Sequence, residues 1–257
     1  MINNIPIFLF LILYSLSIKP DNSIIKTDNS TTYNSKAVII IDDMGNQYKP
    51  CQPLIKSKYP ITFSVLPNCP FSRRISQEGH EFGHEIILHA PMESWDNESN
   101  LRASKPGNLF LTTEMDNQEL TDQLEAMINA VPNIIGISNH MGSKFTEDSS
   151  KMEILIRLLK DKNLCFVDSR TSNNSKGLFL AKKIGVPAVG RGLFLDNDQS
   201  YNQTVKQLIK LMEIGKAEGT AVGIGHPYPS TIKALTNMLP QFKDNQIEIV
   251  PLSEILD

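Results

Sequence analysis

The chain has little of what would place it outside the ordinary folded enzymes and binding domains. Its three cysteines, Cys51, Cys69 and Cys165, include no C-x-x-C pair. An odd count without that spacing is neither a disulfide framework nor a zinc knuckle. The three read as small buried hydrophobic residues, with a Cys51–Cys69 bridge left open for an oxidising compartment. There is one tryptophan, Trp95. Net charge is −3 with no long basic run, which argues against nucleic acid as the partner. No G-x-G-x-x-G follows the first strand-like segment, where IDDMGN stands instead, so an open dinucleotide-binding sheet is disfavoured.

The apolar stretch at residues 5–18 is too short for a comfortable membrane span. It has the length of a signal h-region, and Ser15-Leu16-Ser17 offers small residues for cleavage, although no Lys or Arg precedes it. Residues 1–18 are therefore expected to be a signal peptide or a retained N-terminal anchor, a possible membrane tether. Residues 19–35 are rich in Ser, Thr and Asn and read as a polar linker. Residues 36–257 read as one domain, exported to the periplasm or cell envelope. A chain of this length buries roughly 70% of its unfolded surface, so it needs neither disulfide nor metal to fold.

Seven times a short apolar run ends in polar, chemically capable residues. The runs are AVIIIDD (37–43), ITFSVLPN (61–68), EIILHAPME (85–93), IIGISNHMGS (134–143), LCFVDSRT (164–171), VPAVGRGLFLD (186–196) and TAVGIGHP (220–227). They are rich in Ile and Val and barely alternate, as parallel strands covered on both faces do. Helical signals separate them. A helix is expected over 70–79, closed by Gly79. Capping boxes are expected at Asp116, Ser150 and Ser200, and Ser230 is expected to cap another helix. One face each is expected from Leu120, Leu124, Met127, Ile128 and Val131, from Val205, Leu208, Ile209 and Met212, and from Ile232, Leu235, Met238 and Leu239. IEIVPL (247–252) reads as a last strand, and residues 90–115 as a long irregular loop in which Trp95 can wall a cleft. Repeated βα units with chemistry at every strand end indicate a closed barrel with its active face at the C-terminal ends of the strands.

Adjacent Asp42 and Asp43 repel unless a cation or a proton intervenes, so one carboxylate on a divalent metal and the other acting as a base resolves the pair. His89 ends the third run with Glu93 four residues on. His84 falls on the opposite face and reads as structural, and His80 as a surface residue. His140 ends the fourth run, flanked by Asn139 and Ser143. Two histidines and one aspartate suit Zn²⁺ with a position left open for water. Asp168, Arg170, Arg191 and Asp196 are either part of the site or an ion-pair network that stiffens the rim. His226 is presented at the seventh strand end by Pro227.

These residues make the chain resemble the polysaccharide deacetylase superfamily, and more specifically the divergent polysaccharide deacetylase family. IDDMG, FSVLPNCP, GHEIILHAPME, NHMGSKFT, FVDSRT and IGHPYP match in order. The resemblance implies a distorted (β/α)7-type barrel of the NodB-like kind and a metal-dependent hydrolase that deacetylates an envelope polysaccharide or amino sugar. It implies Asp42 as general base, Asp43 and His89 as metal ligands, and His226 as general acid oriented by an acid such as Asp168. The family's H-x-x-x-H motif is only half present, because Glu93 stands at the second histidine. His140 or Glu93 then completes the shell, and Arg170 or Arg191 replaces an absent arginine motif. The substitution at Glu93 also motivates a catalytically silent barrel that binds envelope glycan or peptidoglycan. A phosphoester hydrolase is disfavoured for want of clustered basic residues.

Overall fold

The computed structural model describes residues 35–104 and 108–256. The expected signal peptide or anchor, and the expected linker up to residue 34, lie outside the described residues. The strands are β1 (Ser35–Met44), β2 (Thr62–Val65), β3 (Glu85–Met92), β4 (Ile134–Met141), β5 (Cys165–Asp168), β6 (Ala188–Gly190), β7 (Leu193–Phe194), β8 (Thr220–Gly225) and β9 (Ile247–Ile249). Their order is β6-β5-β4-β3-β2-β1-β8-β7, with β9 added to β1, and every pairing is parallel.

The sixth apolar run makes two strands rather than one. β6 pairs with β5, and β7, three residues further on, pairs with β8. Between them the Arg191 amide donates to the Asp168 carbonyl at 2.9 Å and the Gly192 amide to the Val222 carbonyl at 3.0 Å. One continuous segment thus joins both edges of a curled sheet. This is the expected NodB-like β/α barrel, with β6 and β7 as the two halves of its closing strand.

Strand parity sorts the side chains. Ala37, Ile39, Ile41, Phe63, Val65, Ile86, Leu88 and Phe166 face the helices in the larger core. Val38, Ile40, Ile87, Cys165, Val167, Val222 and Ile224 fill the barrel interior together with Val250 and Leu252 from the segment after β9. Burial on both faces is why the strands show no hydrophobic alternation.

The helices are α1 (Gln52–Ile55), α2 (Ser72–Glu81), α3 (Asn97–Ala103), α4 (Asn117–Ala130), α5 (Ser149–Asp161), α6 (Gly177–Ile184), α7 (Tyr201–Glu218) and α8 (Pro229–Asp244). Asp116 forms the expected capping box with Glu119, and Ser200 caps α7. Three expectations fail locally. α2 runs through Gly79, because a Cβ there would lie 2.8 Å from the Phe63 ring; the glycine serves close packing and not helix termination. α5 is capped by Asp148, which accepts from the Ser150 and Lys151 amides, so Ser150 lies inside the helix. α8 starts at Pro229, whose fixed φ suits a first helical position, ahead of Ser230. The buried face of α7 runs through Thr204, Leu208, Leu211, Met212 and Gly215, leaving Ile209 exposed. The stretch 90–115 is less irregular than expected: β3 continues to Met92, α3 lies within the stretch, and Met92 bridges Leu111. All three cysteines are free thiols.

Gly136 in β4 is held against β5, where an added Cβ would lie 2.2 Å from the Cys165 sulfur and 2.8 Å from its carbonyl oxygen. Backbone cannot yield as a side-chain tip can. Gly136→Ala is expected to cost about 1–3 kcal/mol, read as a lower urea midpoint at unchanged slope.

Candidate metal centre and acid/base site

The parity that fills the barrel interior with Val38 and Ile40 carries on to Asp42. On the neighbouring strands it carries Ile87 on to His89, and Ile224 on to His226. Asp43 has the opposite parity and should point away. Two backbone features turn it back. β1 has one residue more than β2 between the pairs Ile41–Phe63 and Met44–Val65, and Asp43 adopts left-handed φ of 57°. Aspartate tolerates this region better than most residues.

Three ligand-type atoms converge there. Asp43 Oδ1 lies 2.8 Å from His140 Nδ1 and 3.2 Å from His89 Nε2, and the two nitrogens are 3.2 Å apart. Asp43 Oδ1 is buried yet makes no hydrogen bond of good geometry. Two nitrogens and a carboxylate oxygen packed this closely suit a shared cation. Bonds of about 2.1 Å in a tetrahedral shell hold donors about 3.4 Å apart, close to the observed triangle. The residues therefore fit a divalent ion.

Asp42 is buried beside this group, its Oδ1 3.6 Å from His89 Nδ1 and without a hydrogen bond. Burial pushes the Asp42 carboxyl above the ordinary carboxylate range, with His89 and Ser64 opposing and Asp43 adding to the rise. Asp43 moves the other way: burial works to raise it, but hydrogen bonding and charge from His140 and His89 hold it far below. Adjacent acids driven apart in this way can take different roles.

His226 lies across the site. Its Nδ1 is 2.8 Å from Asp196 Oδ1, and its amide donates to Asp196 Oδ2 at 2.6 Å. Thr231 Oγ1 donates to the same Oδ2 at 2.8 Å. The ring is flanked by Phe194 and Tyr228. Burial lowers the His226 pKa, but the Asp196 bond and charge, with Asp43 and Asp42 nearby, carry it above the ordinary histidine value.

The partner of His226 is thus Asp196 and not Asp168. Asp168 accepts from the Arg170 amide and from Ser175 Oγ, which shapes the loop after β5. Glu93 is not among the converging atoms. It accepts from the Thr113 amide and hydroxyl and pairs with Lys144 at 2.8 Å, so it pins the loop, and the third of the converging groups is His140. Burial opposes ionisation of Glu93, but Lys144 and Thr113 outweigh it and lower its pKa. Asn139 is consumed internally, donating to Met141 and Thr171 and accepting from Ser169. Ser143 accepts from the Trp95 amide and positions that loop. Arg170 is exposed and donates to the Arg191 carbonyl; Arg191 donates to the Ser169 and Arg170 carbonyls and stacks on Phe194. His84 is structural as expected, buried between the Ile61 amide and the Ile55 carbonyl.

Sequence reading missed Ser64, Ser138 and Thr231, and left Asp196 open between a site residue and a rim ion pair. Ser138 carried a signal, as a hydroxyl inside an apolar run. A cleft of about 380 Å³ opens beside the centre, lined by Leu66, Cys69, Pro91, Arg102, Leu109 and His140 among others. Trp95, 63% exposed, stands on the β3–α3 loop and is not among the residues lining this cleft. A larger hollow lies elsewhere, beside Lys36, Thr220 and Glu248.

A family model, divergent polysaccharide deacetylase, matches residues 39–256. YibQ, an uncharacterised protein of Escherichia coli K12, is 30% identical over 229 residues, spanning 89% of this chain and 70% of the relative. The crystal structure of the uncharacterised protein ATU2773 from Agrobacterium tumefaciens C58 matches with a TM-score of 0.80 at 23% identity, over 87% of this chain and 89% of that one. The catalytic domain of a peptidoglycan N-acetylglucosamine deacetylase from Eubacterium rectale matches with a TM-score of 0.52 at 16% identity, over 85% and 89%. At such identities these two structures speak for the fold alone.

The geometry separates His140 from Glu93 experimentally. In calorimetric titration with Zn(II), His140→Ala is expected to weaken binding at least about tenfold. Glu93→Gln is expected to leave the affinity unchanged while costing about 1 kcal/mol of stability at neutral pH. Because the Glu93 pKa is lowered on folding, that cost is present above its unfolded value and fades as pH falls through the folded one.

Proposed function

The chain belongs to the divergent polysaccharide deacetylase family, and from that premise we propose that it is a metal-dependent hydrolase removing acetyl groups from an N-acetylated glycan of the cell envelope. The observation that carries the reading is the Asp43–His89–His140 triangle, with an ionisable carboxyl on one side and an aspartate-backed imidazole on the other. Two nitrogens and one oxygen favour zinc over the harder, oxygen-seeking cations. When bound, such an ion polarises the amide carbonyl and acidifies water.

The chain's own residues move the protons. Asp42 takes a proton from the water that attacks the acetamide carbon; its raised affinity for protons suits a base working near neutral pH. His226 has Nδ1 committed to Asp196, which leaves Nε2 to protonate the amine nitrogen as the C–N bond breaks. Acetate and a free amine result. Asp196 keeps the ring in this orientation and favours its protonated form.

We assign residues 1–18 an export role, with the catalytic domain in the periplasm or envelope, on the strength of the apolar stretch at 5–18. Fractionation of the full chain against a version without residues 1–18 tests this; equal cytoplasmic recovery of both would refute it.

Acetate release from N-acetylglucosamine oligomers or peptidoglycan tests the activity. Asp42→Asn and His226→Ala are each expected to lower kcat by about 10²–10⁴-fold. Glycan binding without turnover by metal-loaded wild type would favour a silent barrel instead. The protonated His226 is required, so activity declines as pH rises through its raised pKa. Asp196→Asn removes the main support for that rise, and its alkaline limb is expected at lower pH than that of wild type.

A further inference from the structure

Two hydroxyls stand beneath the metal centre where packing calls for none. Ser64 and Ser138 are fully buried in a barrel interior otherwise built of Val38, Ile40, Ile87 and Val167. Ser138 is in register with His89 across the β3–β4 pair, and Ser64 with Ile87 across β2–β3. His89 Nδ1 lies 2.7 Å from Ser138 Oγ, and Ser138 Oγ lies 2.7 Å from Ser64 Oγ. Ile41 pairs with Phe63 across β1–β2, so Ser64, the next residue of β2, stands beside Asp42.

We propose that Ser138 and Ser64 are positioning residues: a one-way hydrogen-bond chain from His89 Nδ1 through both hydroxyls to Asp42 holds His89 in the tautomer that presents a free Nε2 lone pair to the centre. The inference rests on the metal-centre reading of Asp43, His89 and His140. A neutral imidazole carries one proton, so ligation through Nε2 requires the proton on Nδ1 and an acceptor for it. Ser138 Oγ is in hydrogen-bond range, whereas Asp42 Oδ1, at 3.6 Å, is not. A buried serine that accepts must place its own proton elsewhere, and Ser64 is at hand. Ser64 passes its proton toward a carboxylate, which only accepts. With Asp42 ionised, as its role as base requires, the chain runs from His89 toward Asp42. Reversed, the chain would put a proton on Nε2 and remove the lone pair the metal needs. The same two serines tie the base and a ligand into one unit, so the acid that receives the water proton also orients the His89 ring.

The test reads the tautomer and not turnover. In ¹⁵N-histidine-labelled protein without metal, the His89 signals of wild type are expected to show Nδ1–H. Ser138→Ala is expected to populate Nε2–H and to weaken Zn(II) binding roughly tenfold or more in chelator competition. Ser138→Thr retains the hydroxyl and is expected to restore both. Ser64→Ala is expected to shift both in the same direction, and the double alanine variant to be no worse than Ser138→Ala, since the chain acts as a unit. Ser64→Ala also decides the matter should Ser138→Ala fail to fold. Unchanged tautomer and unchanged Zn(II) affinity in either alanine variant would overturn the relay. Failure of wild type to bind Zn(II) would instead overturn the metal-centre reading, and the metal-free tautomer would still judge the hydroxyl chain.

Discussion

The site depends on the backbone at Asp43. Successive residues of a strand face opposite sides of the sheet, so neighbouring aspartates cannot ordinarily serve one centre. An extra residue in β1 relative to β2, and left-handed φ at Asp43, bring the second carboxylate round to the side of the first. Met141 and Arg170, which end or follow strands on the same face, also have positive φ, at 56° and 48°. Unfavourable backbone at strand ends is sustained here by a rigid barrel beneath it, as is common where side chains must converge.

Convergence then sets the electrostatics. Two carboxylates side by side, one buried, cannot share an environment. Asp43 gains two imidazole neighbours and stays ionised, while at Asp42 burial outweighs His89 and Ser64 and the proton is held more strongly. The same logic operates across the site, where Asp196, itself held by Thr231 and the His226 amide, lifts the proton affinity of His226. The proposed ligand, base and acid are similar residue types told apart by their surroundings.

The departure at Glu93 has a structural counterpart on the neighbouring strand. Its carboxylate is occupied by Thr113 and Lys144, and an imidazole nitrogen from the next strand, that of His140, stands beside Asp43 instead. The exchange works because β3 and β4 are paired in parallel register, with Pro91 opposite His140, so the end of one strand can fill a role vacated on the other. Asp168 and Asp196 were harder to tell apart along the chain, since each ends or follows a strand run. Only Asp196 closes on His226, because β7 pairs with β8 while β5 does not.

By itself the sequence determined the repeated βα plan, the burial of both sheet faces and the placing of Asp42, Asp43, His89, His140 and His226 at strand ends. These follow from local composition and from the order of apolar runs, helix signals and polar strand ends along the chain. It did not reveal that the sixth run splits between two sheet edges, which caps start α5 and α8, that Asp196 backs His226, or that Ser138 lies within hydrogen-bond range of both His89 and Ser64. Those were decided by tertiary structure, for one physical reason: hydrogen bonds and ion pairs of 2.6–3.6 Å are set by strand register and barrel closure, which bring together residues 30 to 74 positions apart.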